Sequence, residues 1–267
     1  MEKLRRNDYI IINPAVGMLA CQDVGEGKLP SEDLLLDYIL KEIAFEKDLA
    51  GKRVLVTAGP TMEAVDPVRY ITNHSTGKMG YAIARNCALR GADVTLVTGQ
   101  TSLPKPRFVQ VVEIESAREM FEAVTKAAPG QDIIVKAAAV ADYRPLTVSE
   151  EKVKKHDAHM TLELEKTDDI LQYLGEHKKS GQFLCGFSME TEHMLENSRE
   201  KLKKKNLDMI AANNLKVEGA GFGTDTNVIT LITPTEKISL EKMSKEEAAG
   251  RIMDEILRQM QKRNAES

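Results

Sequence analysis

Side chains able to handle anions and carbonyls are densest between Arg53 and Gly80. There the chain reads Arg53-Val-Leu-Val-Thr-Ala-Gly-Pro60-Thr, then Asp66-Pro-Val-Arg69-Tyr-Ile-Thr-Asn73-His-Ser75-Thr-Gly77-Lys78-Met-Gly80. An amide at Asn73 either closes a turn on its own backbone or orients a carbonyl and stabilises developing negative charge. Ser75 to Lys78 leads into a helix in which Met79, Ile83 and Cys87 recur every fourth residue. Free N–H groups at a helix start attract anions, while glycines there serve equally for tight packing. Two nucleotide fingerprints are absent. A P-loop needs glycine where Thr72 stands and Ser or Thr where Met79 stands, and the first turn carries Gly59-Pro-Thr-Met in place of Gly-x-Gly-x-x-Gly.

A second concentration follows at Lys136-Ala137-Ala138-Ala139-Val-Ala-Asp142-Tyr143. Small residues at a strand end let a flat ligand lie against backbone, and Asp142 then offers a carboxylate to a sugar hydroxyl or a metal; the alternative is a tightly packed strand whose Asp caps the next turn. Residues 144 to 165 are too long for a tight turn and carry Glu151-Lys152-Val-Lys154-Lys155. A charge run is usually a solvated face, yet a lysine on a mobile flap can neutralise a triphosphate. Lys201 and Lys205 lie four apart and share a helix face, with Lys203 and Lys204 pointing elsewhere; the helix dipole alone would favour lysines there. The strand end at Phe187, with Ser188 and Glu190 beyond it, is a further candidate wall. Neither a Ser/His/Asp triad nor zinc spacing among the five histidines is present.

Alternating elements must position these groups. Strands are expected near 53–58, 93–98, 108–114, 132–138, 183–187 and 207–212, and helices near 77–90, 116–128, 168–178 and 192–205. Such alternation predicts a parallel sheet covered on both faces. The rhythm then breaks: 227–233 and 237–240 read as an antiparallel hairpin, followed by a final helix capped by Ser244 with Glu247, its apolar positions Ala248, Ile252, Ile256 and Met260. The roughly twenty polar residues between the first strand and its helix are read as a loop, longer than the usual 2–6 residues, and a long connection there is more often functional than decorative. Residues 1–50 look foreign to this pattern. Tyr9 to Ile12 has strand composition, Gly17 to Lys28 is glycine-rich and flexible, and Ser31 can cap a helix to about Phe45 with Leu34, Leu35, Tyr38 and Ile39 on one face.

The bulk numbers bound the answer. In 267 residues, 29% are charged, 42% are hydrophobic and the formal net charge is −4, which disfavours nucleic acid as the main partner. Three scattered cysteines form no disulfide framework, and no apolar run is long enough to span a bilayer or serve as a signal peptide, so a reducing cytoplasm fits best.

As a set, five ordered blocks resemble the phosphopantothenoylcysteine synthetase family over about Gly51 to Glu255: Val-Thr-Ala-Gly-Pro-Thr, the Asp66 to Gly80 run, Ala-Ala-Val-Ala-Asp-Tyr, Glu-Lys-Val-Lys-Lys and Lys-Asn-Leu-Asp-Met-Ile-Ala-Ala-Asn. Residues 1–30 resemble the end of the flavin-dependent phosphopantothenoylcysteine decarboxylase, with Leu19-Ala-Cys21 matching its proton-donating cysteine flap and Gln22 standing where glycine is usual. The resemblance implies two regions, 1–50 a remnant of that decarboxylase plus linker and 51–267 the ligase domain, in a fragment of the bifunctional protein. It implies a modified Rossmann-like α/β parallel sheet with helices on both faces and a C-terminal antiparallel hairpin extension. It also implies ligation of 4′-phosphopantothenate to L-cysteine through an acyl-cytidylate made from CTP, with Mg²⁺ accompanying the triphosphate and FMN needed only by the missing decarboxylase domain.

Carried over position by position, Asn73 matches the asparagine that turns the acyl-cytidylate over and Lys152 the flap lysine near the triphosphate. Lys136, Ala137, Ala138, Ala139, Asp142, Asp168, Asp169, Ile170, Phe187, Lys201 and Lys205 complete the expected nucleotide-binding set; metal ligands are not assigned. A homodimer through the strands around 214–240, free of nucleic acid and membrane, is expected. Two other readings stay open: a nicotinamide- or flavin-dependent reductase on the same sheet, and a nucleotide-binding module without catalysis.

Overall fold

The computed structural model describes residues 2–7, 9–154, 160–190, 194–214 and 224–266. Arg53–Ala58 (β1) is a run of β-favouring residues, and every one after Arg53 is buried. Around it an eight-stranded sheet forms from Asp93–Thr98 (β2), Gln110–Glu113 (β3), Ile133–Lys136 (β4), Phe183–Glu190 (β5), Met209–Asn214 (β6), Ile229–Ile232 (β7) and Lys237–Ser239 (β8). The spatial order is β8-β7-β6-β5-β4-β1-β2-β3. Strands β1 to β6 pair in parallel, in the doubly wound order 3-2-1-4-5-6, and β7 and β8 extend the β6 edge antiparallel.

Period-two alternation sends β1 side chains to both faces, so the sheet needs a helical layer on each. Val54 and Val56 pack with Ile83 and Cys87 of Lys78–Leu89 (α2) and with Ile252, Met253 and Ile256 of Lys245–Glu266 (α6). Leu55 faces the other way, onto Met120 and Val124 of Ala117–Ala127 (α3), Ile170 and Leu174 of Ile170–Glu176 (α4) and Leu202 of Met194–Lys204 (α5). Side-chain caps start three of these helices where the sequence offers them: Ser116 accepts from Glu119 N, Asp169 from Gln172 N and Ser244 from Glu247 N. The expected strand–helix alternation, the hairpin and the final helix are all present, with ends shifted by at most three residues.

Three expectations need correction. Tyr9 to Ile12 forms no strand; pairing begins later, as Ala15–Met18 against Val24–Lys28, so the glycine-rich stretch is a hairpin where flexibility was expected. The 59–77 connection is not simply a loop, because Met62–Ala64 pairs antiparallel with Tyr70–Thr72. In Glu32–Ile43 (α1), capped by Ser31 as expected, Leu34, Leu35 and Tyr38 are partly buried but Ile39 is 53% exposed. Tyr38 instead meets Phe108 edge-on at 5.0 Å, and Asp37 pairs with Arg107 at 2.8 Å. No described helix is long and apolar enough to cross a membrane.

The helix that follows the 59–77 connection approaches β1 very closely. A Cβ on Gly80 would stand 2.5 Å from Ala58 Cβ and 2.8 Å from Thr57 O. Gly80→Ala is therefore expected to lower stability by about 1–3 kcal/mol, as overpacking does, read as a fall in the urea midpoint at unchanged m-value.

Candidate functional site

Strand order reverses between β1 and β4, and connections from the two leave toward opposite faces. The carboxyl ends of these strands therefore flank a crevice. Their backbones stay in register past the last regular residues, with Pro60 bridged to Ala139 and Ala139 N donating to Gly59 O at 3.0 Å. Threonine hydroxyls continue the pairing: Ala138 N donates to Thr57 Oγ1 at 3.1 Å and Ala141 N to Thr61 Oγ1 at 3.0 Å. Neighbouring β2 is followed by Gly99, where a Cβ would lie 1.8 Å from Pro60 O, so only glycine leaves Pro60 its place. The Met62–Thr72 hairpin rises from this edge and delivers Asn73, whose Nδ2 donates to Ala139 O at 3.0 Å. The amide loop and the alanine edge, 66 residues apart in sequence, are thus in direct contact.

Two cavities adjoin there and share Phe187. One, about 420 Å³, is lined by Lys136, Asp142, Asp168, Asp169, Ile170, Phe187, Lys201 and Lys205, which is the expected nucleotide set save the three alanines and Lys152. The other, about 150 Å³, is lined by Ala137, Ala138 and Ala139 on one side and by Ser75 to Gly80 on the other. It meets the start of α2, whose N-cap Gly77 makes no side-chain cap bond, an arrangement suited to a small anion. A larger cavity, about 690 Å³, lies between α1, α2 and residues 103–108 and contains neither the alanine edge nor the lysine set.

Charge in the first cavity is mixed by design of position. Lys205 Nζ sits 2.6 Å from Asp169 Oδ2; burial opposes the Asp169 charge, but that ammonium prevails and holds the carboxyl below its usual range. Lys136, at the end of β4, donates from Nζ to Ala138 O at 3.1 Å. Burial, reinforced by Lys201, pushes its ammonium down to about 8. Lys201 donates to Phe187 O at 3.3 Å, so it is tied to β5 while Lys205 is tied to the cap of α4.

Lys152, the expected flap lysine, stands apart from the rest of the nucleotide set. It is exposed and lines neither cavity. Its segment is tethered instead to the Asn73-bearing hairpin: Ser149 N donates to Val65 O at 3.1 Å, Val153 N to Asp66 Oδ2 at 3.1 Å, and Arg69 Nη2 to Val153 O at 2.9 Å. Tyr143–Pro145 pairs with Leu164–Lys166 to form the base of this flap. Lys155, also in the basic run, lies outside the described residues.

Ser188, a candidate for the cleft wall, is not there: it is 3% exposed and its hydroxyl pairs with Ser198 Oγ at 2.9 Å, behind β5. Glu190's side chain lies outside the described set. Cys21 is exposed at the tip of the N-terminal hairpin. Among the described residues no three His, Cys, Asp or Glu gather as metal ligands. Several lining residues were not foreseen. Lys166, Asn227 and Lys245 come from the flap base, a short strand and the α6 start, and only long-range folding assembles them. Asp66 and Arg69 carried a local signal, since Asp-Pro-x-Arg is turn chemistry, but nothing in it pointed to a partner at 153.

The profile of the DNA/pantothenate metabolism flavoprotein C-terminal domain family matches residues 49–260. The coenzyme A biosynthesis bifunctional protein CoaBC of Bacillus subtilis is 46% identical over 257 residues, covering 95% of this chain and 63% of that protein. The chain thus spans less than two thirds of that relative's length. Among solved structures, the C-terminal domain of a CoaBC protein is 42% identical with a TM-score of 0.68, covering 81% of this chain and 98% of that one. A Cab2 mutant in complex with phosphopantothenate-cysteine has a TM-score of 0.66 at 18% identity, covering 89% of this chain and 96% of its own; it shares the fold.

The lowered Lys136 ammonium gives its charge a pH dependence of definite sign. Below about 8 its ammonium is charged in the folded chain; above, it is neutral there but still protonated in the unfolded chain up to about 10.5. Its contribution to fold stability therefore rises with pH across that window, while its attraction for an anion falls. Affinity for inorganic tripolyphosphate, measured by titration calorimetry, is expected to weaken as pH passes through about 8, and Lys136→Met should flatten that part of the curve.

Proposed function

The chain belongs to the DNA/pantothenate metabolism flavoprotein C-terminal domain family, and from that premise we propose that it ligates 4′-phosphopantothenate to L-cysteine with CTP, in coenzyme A biosynthesis. The observation that carries this reading is the Asn73 amide fixed on Ala139 O beside two adjoining cavities of unequal size and different chemistry. The larger, with lysines on its walls and Asp142 at its edge, has the dimensions of a small-molecule site and suits a nucleotide. The smaller, closed by the uncapped start of α2, suits the phosphate of phosphopantothenate. The reacting carboxylate then lies where the two meet, at the alanine edge and Phe187. The names of the relatives support this choice, as does a fold that holds phosphopantothenate-cysteine in Cab2.

Chemistry of this kind needs positioning and charge neutralisation, and no side-chain nucleophile. The carboxylate oxygen attacks the α-phosphorus of CTP; an O–P bond forms and the bond to pyrophosphate breaks. The cysteine amine next attacks the acyl carbon, a C–N bond forms, CMP departs with the C–O electron pair, and the amine proton passes to solvent. Lys136, Lys201 and Lys205 offset the phosphate charge of the first step. Alanines at 137–139 let the mixed anhydride lie against backbone, and Asn73 orients its carbonyl for the second step. Lys152, on the flap beside the hairpin, closes over the triphosphate. A dedicated magnesium cage is absent among the described residues, and none is required when the ion arrives on the phosphates with its own waters. We place the reaction in a cytoplasmic homodimer, as the family resemblance implies.

A coupled pyrophosphate assay comparing CTP with ATP, with and without cysteine, tests the assignment: pyrophosphate release must depend on phosphopantothenate and run faster with CTP. Asn73→Asp is expected to leave the pyrophosphate burst intact and to stall amide formation, so the acyl-cytidylate accumulates in quenched samples. Equal losses in both half-reactions would remove its special part. Lys152→Gln should raise the KM for CTP or lower kcat several-fold; kinetics equal to the unmodified chain would return the flap lysine to a solvated surface charge.

A further inference from the structure

Asp66 is the most heavily engaged carboxylate next to the site, and the proposed chemistry gives it no part. Its residue is 3% exposed and its side chain is fully buried. Oδ1 accepts from Val68 N at 2.9 Å and from Arg69 N at 2.8 Å, closing the turn of the hairpin that carries Asn73. Oδ2 accepts from Arg69 Nε at 3.0 Å, from Arg69 Nη2, and from Val153 N at 3.1 Å. The last bond crosses 87 positions of sequence to reach the residue after Lys152. Arg69 answers it from the other side, Nη2 donating to Val153 O at 2.9 Å. Both backbone groups of one flap residue are therefore held by one ion pair, as a partner strand would hold them.

We propose that Asp66 is a positioning residue for Lys152: with Arg69 it clamps the Val153 peptide, and so sets where the flap cation sits when the triphosphate is bound. The proposal rests on the part assigned above to Lys152. The same carboxylate closes the turn seven residues before Asn73 through Oδ1, an acceptor that asparagine keeps. Asp66→Asn therefore strikes the Oδ2 bonds to Arg69 and Val153 and leaves the turn closed. The Arg69 guanidinium holds the Asp66 carboxyl well below the usual carboxylate range, which keeps it a pure acceptor at neutral pH. Asparagine in its place retains the shape but loses the charge. A 36% exposed Val153 has little packing of its own to keep the flap in position once those bonds go.

The test uses the full chain in four forms besides the unmodified one: Asp66→Asn, Val153→Pro, Lys152→Gln, and Asp66→Asn with Lys152→Gln. Val153→Pro removes the flap's amide donor without touching the buried ion pair, which guards against misfolding of the Asp66 variant. Backbone amide exchange and steady-state kinetics are read on each. The expected result is at least tenfold faster exchange at Val153 in Asp66→Asn, with amides of β1 and β4 unchanged. The kcat/KM for CTP should fall several-fold in both Asp66→Asn and Val153→Pro, with the KM for cysteine unchanged and the double variant no worse than Lys152→Gln alone. Additive losses in the double variant, or Val153→Pro with unaltered CTP kinetics, would overturn the positioning role, as would unaltered exchange at Val153. If the unmodified chain fails to turn over CTP, the proposed function falls and takes the task of Lys152 with it; accelerated exchange would still establish the clamp, so the two failures read differently.

Discussion

The reversal of strand order between β1 and β4 is the constraint from which the rest of the molecule follows. A right-handed crossover can place its helix on only one face of the sheet for a given direction of travel. Travelling outward from β1 in both directions therefore covers both faces and leaves the strand ends at the reversal without a roof. Backbone polar groups at that opening still need partners, and here they find them in one another and in nearby side chains: Gly59 O with Ala139 N, Ala138 N with Thr57 Oγ1, Ala139 O with Asn73 Nδ2. The crevice is thus a surface of satisfied backbone on which a ligand can lie flat. Side chains at the edge stay small because anything larger would fill it.

Charge is arranged around this backbone floor rather than on it. Ammonium groups at Lys136, Lys201 and Lys205 come from the end of β4 and from α5 and its continuation, elements anchored in the core, while Asp169 caps α4 and tempers them. Lys152 is of a different kind. It rides on a segment held to the domain by the Asp66–Arg69 pair at Val153 and by Ser149 N on Val65 O, a tether that suits the closing part proposed for it. Under the proposed function, the core-anchored lysines serve binding and the tethered Lys152 serves closure.

Much of this was legible before the structure, for physical reasons that differ by element. Strands β1, β2 and β5 carry dense apolar runs, and α2, α3 and α6 show strong spacing of buried positions, so local pattern sufficed. Asp168 to Ile170 with Lys201 and Lys205 could be grouped because a resemblance across ordered motifs, not any single residue, singled them out, and all five line one cavity. What local pattern cannot convey is the partner of a polar group far along the chain. Ser188 has the composition of a cleft residue but turns toward Ser198, and Tyr9 to Ile12 has the composition of a strand but meets no neighbour to pair with. The hairpin inside the 59–77 connection was hidden for a related reason: its strands are three residues each and depend on Asp66 to close their turn.

The contact between Gly99 and Pro60 has a consequence for interpreting natural variation and for redesign. Gly99 follows a strand that supplies no group to either cavity beside the alanine edge, so a mutation there would be scored as remote from the chemistry. Yet the smallest possible side chain would collide with Pro60 O, and Pro60 is the residue bridged to Ala139. A glycine-to-alanine polymorphism at that codon should therefore displace Pro60 and, through its bridge to Ala139, the alanine edge on which the proposed function relies.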